Sequence, residues 1–349
     1  MKYRLGSAGA ARAIALGFLT CGAIAALSAT GAAPAQAESI KIGLSKLLSY
    51  PAVPIAIDRG YFKAEGIDAE MVFFDSAQPI AVGVASGGVD FGVSGLSAGF
   101  YTLGGQGQLR LLASSSGEQP GFYNLTFLAS NKAYDAGLKS VKQLPGHDVA
   151  ITQVGTSLHY SIGLSAVKFG FPMSAVEVKP LQSNSNVIAS LRGGTVDAAV
   201  MPGTPTLALV AKGEIKRLGW VGDLTPGWTG SALFTATKTA NERGDLVKRF
   251  LIAYRKGMRD YHDAFTGPDG KRKDGPGAPA LLAFLSKYTG IPAENIDKAV
   301  PYIDAQGRLD AADIAKQIAW YKSQNLLKGE VDAKKLIDSR YAIPVSAHK

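Results

Sequence analysis

Hydroxyls, amides and glycines gather just after short apolar runs, and these are the groups in the chain best placed to hold a ligand. Ser45-Lys46-Leu47-Leu48-Ser49-Tyr50, Asp75-Ser76-Ala77-Gln78 and Ser94-Gly95-Leu96-Ser97 do so early in the chain. Gln153-Val154-Gly155-Thr156-Ser157-Leu158-His159-Tyr160, Gln182-Ser183-Asn184 and Pro202-Gly203-Thr204 repeat the arrangement later. Several precede a helical stretch, where free backbone N–H groups point outward and favour an anion. Gly155-Thr156-Ser157 is the strongest of them: a glycine for a tight turn, two hydroxyls, and a helix opening at Leu158. The same hydroxyls would serve equally as ordinary helix caps. Ser94 and Gly95 form the matching pair in the first half, with Ser76 as a further donor. Asp75 would repel an anion, so it either caps a helix or meets a positive ligand group.

Lys46 and His159 are the basic residues of these segments. Lys46 reads either as a solvated side chain or as a ligand contact. A neutral imidazole at His159 can donate to a carboxylate or sulfonate, and the positive helix end opposes its protonation. Tyr50, Tyr123, Tyr160 and Trp228 offer flat walls to a pocket, and Asn184 and Pro202 complete the candidate set. The chain has no phosphate-loop lysine motif and no His-Glu-x-x-His, so the sequence supplies neither of those two kinds of catalytic machinery. The four histidines are scattered, and neither a metal site nor a cofactor is expected.

The elements that must carry these loops alternate. Strands are predicted at 39–47, 69–74, 89–93 and 109–113, with helices at 51–63, 79–86 and 97–103. After Pro145-Gly146 the pattern restarts, with strands at 148–152, 176–180, 196–201 and 217–221 separated by helices. Strand–helix alternation at this spacing argues for an α/β fold with a mostly parallel sheet in each of two units. In such sheets ligands bind beyond the carboxyl ends of the strands, which is where the polar segments fall. The two units share a weak repeat, Gly87-Gly88-Val89-Asp90-Phe91-Gly92 and Gly193-Gly194-Thr195-Val196-Asp197-Ala198. Links are expected near 129–132 and 223–227. The last third reads as helices, among them 245–261 with Leu246, Phe250, Tyr254 and Met258 on one stripe. They should pack on the first unit after a strand at 231–236 returns to it. The expected layout is lobe 1 from 38–130 plus 226–349 and lobe 2 from 131–225.

The first 37 residues read as an export signal. Lys2, Arg4 and Arg12 precede an apolar run from Ala13 to Ala29, and Ala35-Gln36-Ala37 fits a peptidase site. Cleavage after Ala37 would deliver the protein to the periplasm and remove Cys21, the single cysteine. A lipid anchor on Cys21 is the alternative, although Thr20 stands where a small residue should precede it. The formal charge of +9 includes the three basic residues of that segment. With export expected and no long basic block, nucleic acid is not an expected partner.

Asp58-Arg59-Gly60-Tyr61-Phe62-Lys63-Ala64-Glu65-Gly66-Ile67-Asp68, the run from Gly83 to Gly95, Gly155-Thr156-Ser157 and the run from Leu191 to Gly203 together resemble a known family. It comprises the periplasmic substrate-binding proteins of ABC importers for nitrate, sulfonate and taurine, the NMT1/THI5-like group, and the resemblance spans about residues 39–340. It implies a type II periplasmic-binding-protein fold: two lobes, two crossovers, and a cleft that closes on a small solute and presents it to a permease. It also implies a monomer, with ligand contacts at Ser76, Ser94, Gly95, Thr156 and Ser157. This chain departs from the family in having no arginine after its first strand, which disfavours inorganic nitrate and favours an organic acid, a sulfonate or carboxylate, aromatic or aliphatic. A thiamine-pyrimidine-like heterocycle is the alternative solute, and a sensor or chemoreceptor partner the alternative role. The family's enzyme branch uses a cysteine-rich element that this chain lacks once Cys21 is removed.

Overall fold

The computed structural model describes residues 37–345. All of the expected export signal but Ala37, Cys21 included, falls in 1–36, outside the described residues. The first sheet is built from β1 (Glu38–Leu44), β2 (Ile67–Phe73), β3 (Phe91–Gly95) and β4 (Leu109–Glu118). The second holds β5 (Leu125–Ser130), β6 (Asp148–Ile151), β7 (Glu177–Pro180), β8 (Ala198–Pro202) and β9 (Ile215–Trp220). The chain then returns as β10 (Trp228–Ala236) to the first sheet.

The sheet orders are β2-β1-β3-β10-β4 and β7-β6-β8-β5-β9. β1 is parallel to β2 and β3, and β6 to β7 and β8. β10 runs antiparallel to β3 and β4, and β5 antiparallel to β8 and β9. The two lobes thus share one topology, in which the strand that follows each crossover is inserted antiparallel into a sheet otherwise running one way. The repeat seen in the sequence sits at equivalent places. Gly87 at φ +79° and Gly194 at φ +66° supply the left-handed turns that end the preceding helices. Asp90 accepts the Lys41 N–H at 2.8 Å, whereas Asp197 pairs with His147 at 2.9 Å.

Two expectations are corrected. Residues 51–63 form two helices, Ala52–Asp58 and Tyr61–Ala64, because Gly60 at φ +71° turns the chain between them. The first crossover lies between Glu118 and Leu125 rather than near 129–132, since 125–130 is a fully buried strand of the second sheet. Ser130, read as part of a link, instead caps the next helix by accepting the Ala133 N–H.

Lobe 1 is thickened by the carboxyl-terminal helices. Gly244–Phe265 buries Leu246, Phe250, Tyr254, Met258 and Tyr261 against it. Phe250 stacks on Phe91 at 3.8 Å between ring centroids. Gly257 lies against the Ala52 carbonyl, where a Cβ would come within 2.4 Å of the oxygen. Helix Ala311–Ser323 packs on Ala98–Gly105 and β10, and also reaches lobe 2, where the Trp320 ring covers Gly163 of helix Ser157–Phe169.

Candidate ligand-binding cleft

The carboxyl ends of both sheets face one cleft, and the lobes meet across it. The Leu48 N–H donates to Thr204 Oγ1 at 3.2 Å, and the Ala98 N–H to the Gly155 carbonyl at 2.7 Å. Between the lobes lies a cavity of about 50 Å³. That is room for a few waters, or for one acidic head group.

Eight of the residues proposed from sequence line this cavity: Ser45, Tyr50, Ser76 and Gly95 from lobe 1, and Thr156, Ser157, Asn184 and Pro202 from lobe 2. Gly95 lies where the lobes approach closely: a Cβ there would stand 2.6 Å from Ser157 Oγ and force that hydroxyl to turn away. Burial pushes the Tyr50 phenol up to about 12, against a smaller opposing effect of the Gly95 amide, so it stays a protonated donor. Asp75 is an exposed residue at the cavity edge. No lysine or arginine lines the cavity among the described residues.

The other six proposed residues lie elsewhere. Lys46 is exposed and points to the Tyr288 ring, 5.8 Å away, because the loop after β1 turns its side chain outward. Ser94 is fully buried in β3 behind the cavity wall, donating to the Gly95 carbonyl at 3.1 Å. Tyr123 stacks on Trp220 at 4.9 Å. Trp228 is buried, donates its indole N–H to the Thr225 carbonyl at 2.9 Å, and packs edge-on to Tyr160. Tyr160 also meets Trp320, so this aromatic group is core between the lobes and helix Ala311–Ser323. His159 supports the turn instead of facing a ligand. Its Nδ1 accepts the Gly155 N–H at 3.3 Å, its ring packs on Trp320, and burial lowers it to about 4, which keeps it neutral.

The helix amino ends differ in kind. Ser97 caps Ala98–Gly105 by accepting the Phe100 N–H, and Ser183 caps Asn184–Gly193 by accepting the Asn186 N–H, each at 3.1 Å. Ser76 and Thr156, at the starts of Ala77–Ala85 and Ser157–Phe169, make no such cap. Both hydroxyls turn to Gln153 instead: Ser76 Oγ donates to its side-chain oxygen at 3.5 Å, and Thr156 Oγ1 to its carbonyl at 2.9 Å. The first-turn N–H groups of these two helices are therefore uncapped where they border the cavity.

Sequence reading missed the floor, made by Ser116, Asn124, Gly230 and Ser231 at the crossovers. Asn124 is its hub. It accepts the Ser49 hydroxyl at 2.6 Å and donates to Ser116 Oγ at 3.3 Å and to Glu118 Oε1 at 2.8 Å. Ser116 and Ser231 share a 2.7 Å hydroxyl contact. Glu118 is wholly buried, and burial raises its carboxyl to about 8 against the opposing pull of the Asn124 amide, so it carries its proton at neutral pH. The polar run Ser114-Ser115-Ser116-Gly117, set in what is really the second half of β4, was the available signal.

Among the described residues no three His, Cys, Asp or Glu side chains gather as a metal site. No helix among them is long and apolar enough to cross a membrane.

The profile of the family described as "NMT1/THI5 like" matches residues 52–269. No curated protein sequence matches the chain. Among solved structures, the alkanesulfonate-binding protein SsuA of Xanthomonas axonopodis pv. citri, bound to MOPS, is similar at 20% identity and a TM-score of 0.71, over 87% of this chain and 99% of that one. The periplasmic aliphatic sulphonate binding protein SsuA of Escherichia coli is similar at 19% identity and a TM-score of 0.66, over 89% and 95%. The periplasmic nitrate-binding protein NrtA of Synechocystis PCC 6803 is similar at 15% identity and a TM-score of 0.62, over 86% and 84%. At these identities the likeness is one of fold.

Proposed function

The chain belongs to the NMT1/THI5-like family, and from that premise we propose that it is the solute-binding component of an ABC importer. It works in the periplasm as a monomer, captures a small organic acid between its lobes, and delivers it to the membrane permease. The observation that carries the choice of an acid is the pair of uncapped helix amino ends, one from each lobe, converging on a cavity walled by hydroxyls and amides. Backbone N–H groups and the helix dipoles can hold a sulfonate or carboxylate without a basic side chain. Inorganic nitrate fits less well, because among the described residues no lysine or arginine lines the cavity. The fold neighbours named for alkanesulfonate and aliphatic sulphonate binding point the same way.

Protein isolated from its own periplasm, analysed by native mass spectrometry, should carry an organic acid, and a thermal-shift panel should show stabilisation by that class alone. Steady turnover of the ligand would instead make the protein an enzyme. A bound metal, or a cationic solute, would overturn the proposal. Asp75 at the cavity edge favours one competing solute, a cationic heterocycle like the thiamine pyrimidine. Asp75→Asn separates the two, since it should preserve or improve affinity for an acid and sharply weaken affinity for a cation.

A further inference from the structure

The inner cavity, at about 50 Å³, is too small for more than a head group. A second cavity of about 470 Å³ adjoins it, with Thr156 lining both. Its walls come from both lobes, and three of them are glutamines: Gln78 from lobe 1, Gln153 and Gln182 from lobe 2. Their amides are not equivalent in what they leave free. Gln78 Oε1 accepts the Ser97 hydroxyl at 3.0 Å, and Gln153 Oε1 accepts Ser76 at 3.5 Å. With those oxygens engaged, the groups that Gln78 and Gln153 offer are Nε2 donors.

Two backbone features hold this gallery in place. A Cβ on Gly99 would come within 2.0 Å of Gln78 Oε1 and 2.1 Å of its Nε2, so the Gln78 amide lies directly across Gly99 and any larger residue there would push it aside. Gln182 sits at φ +71°, a left-handed conformation that few non-glycine residues adopt, and its N–H is tied at 2.7 Å to the carbonyl of Thr152, itself a wall of the inner cavity.

We propose that the cleft is bipartite: the inner cavity takes the acidic head of the solute, and the glutamine-lined outer cavity takes a second end of the same molecule that bears hydrogen-bond acceptors. This rests on the organic-acid reading above and extends it. The solute class is then an elongated acid with a carbonyl, carboxylate, ether or ring-nitrogen acceptor beyond its head. Gln78, Gln153 and Gln182 are the residues that select for that end.

Calorimetry with two pairs of probes tests it: methanesulfonate against N-acetyltaurine, and acetate against glutarate. The second member of each pair adds an acceptor beyond the same head. Within the pair that binds, the longer probe should bind at least about tenfold more tightly, the gain of one or two well-placed hydrogen bonds. Gly99→Ala and Gln78→Ala should erase that gain and leave the short probe's affinity unchanged. Gln182→Gly should reduce it, because the amide is lost while the backbone turn is kept. Alanine is a better helix former than glycine, and a far-ultraviolet dichroism spectrum checks that Gly99→Ala keeps the fold. Equal affinities within the pair, or variants that weaken both members alike, would overturn the outer site and leave the head site standing. If none of the four probes binds, the organic-acid reading fails and this inference fails with it.

Discussion

In each lobe a helix amino end closed by a serine stands beside one left open at the cleft. Ala98–Gly105 and Asn184–Gly193 are closed by Ser97 and Ser183, whose oxygens accept an N–H of their own first turn. Ala77–Ala85 and Ser157–Phe169 begin with residues of the same chemistry, Ser76 and Thr156, that do not cap. Their hydroxyls are donated to Gln153 and so tie the cleft together. The difference is one of direction, not residue type. A serine that accepts from its own helix satisfies the fold and removes a donor, whereas one that donates elsewhere leaves first-turn N–H groups for a ligand.

The largest expected effect tests what opposes those open ends from below. The floor's network adds no negative charge against their positive potential while Glu118 holds its proton. Burial places that carboxyl near 8 in the folded chain, above its usual 4.5. The folded state therefore keeps a proton that the unfolded state releases. The stability this contributes is fully present below pH 4.5 and is lost as pH rises through about 8, by at most about 1.4 kcal/mol per pH unit. Glu118→Gln keeps a neutral amide of the same shape and an oxygen for Asn124. Denaturant titrations from pH 5 to 9 should show the wild type losing stability relative to the variant up to about pH 8 and levelling off beyond it, and acid binding falling in the wild type alone as the pH passes through about 8. Parallel curves would mean that Glu118 does not govern the floor.

The next effect comes from closing an open end artificially. Thr156→Asp places a carboxylate where it can accept first-turn N–H groups. The melting temperature should rise, by a cap worth about 1 kcal/mol. Affinity for an organic acid should fall more than about a hundredfold, because the ligand's place at the helix end is taken by a like charge. A variant that binds the acid as the wild type does would move the site away from this helix. Thr156→Ala and Ser76→Ala, which only release Gln153, should each weaken binding by about 1–3 kcal/mol with a smaller change in stability.

Open and closed ends could not be told apart in the sequence. What was legible there was periodicity and punctuation: alternating elements, glycine stops at Gly87 and Gly194, and hydroxyl-rich loops at strand ends. These were enough to bring Ser45, Ser76, Gly95, Thr156, Ser157 and Asn184 to one cavity. Side-chain direction was not legible. Lys46 and Ser94 neighbour cavity residues in sequence yet point away, Lys46 because the loop after β1 turns it outward and Ser94 because successive residues of a strand face opposite sides. Tyr160 and Trp228 went into the core, and Tyr123 packs half-buried on Trp220, because large aromatics fill the seams between packed layers, and a linear sequence does not say where those seams run. The floor was missed for a related reason. β4 continues through Ser114, Ser115 and Ser116; the Ser115 hydroxyl donates to the Ser49 carbonyl and the Ser116 hydroxyl meets that of Ser231 on β10, so a stretch that looks like loop is buried strand.

The smallest effect expected is the mirror image of the Thr156 experiment, and it separates capping from ligand binding most cleanly. Ser97→Ala and Ser183→Ala each remove a hydroxyl that accepts a first-turn N–H at 3.1 Å. Each should cost about 1 kcal/mol of stability, the usual value of such a cap. Ser97 should stand at the upper end, since it is buried while Ser183 is partly exposed, so water can replace only the second cap. Neither substitution touches the inner cavity, so affinity for a head-only acid such as methanesulfonate should stay within about twofold. Chemical denaturation and calorimetry on the same preparations read the two quantities side by side. A loss of affinity as large as the loss of stability would show that the closed ends also hold the ligand, and the distinction between the two kinds of helix end would then collapse.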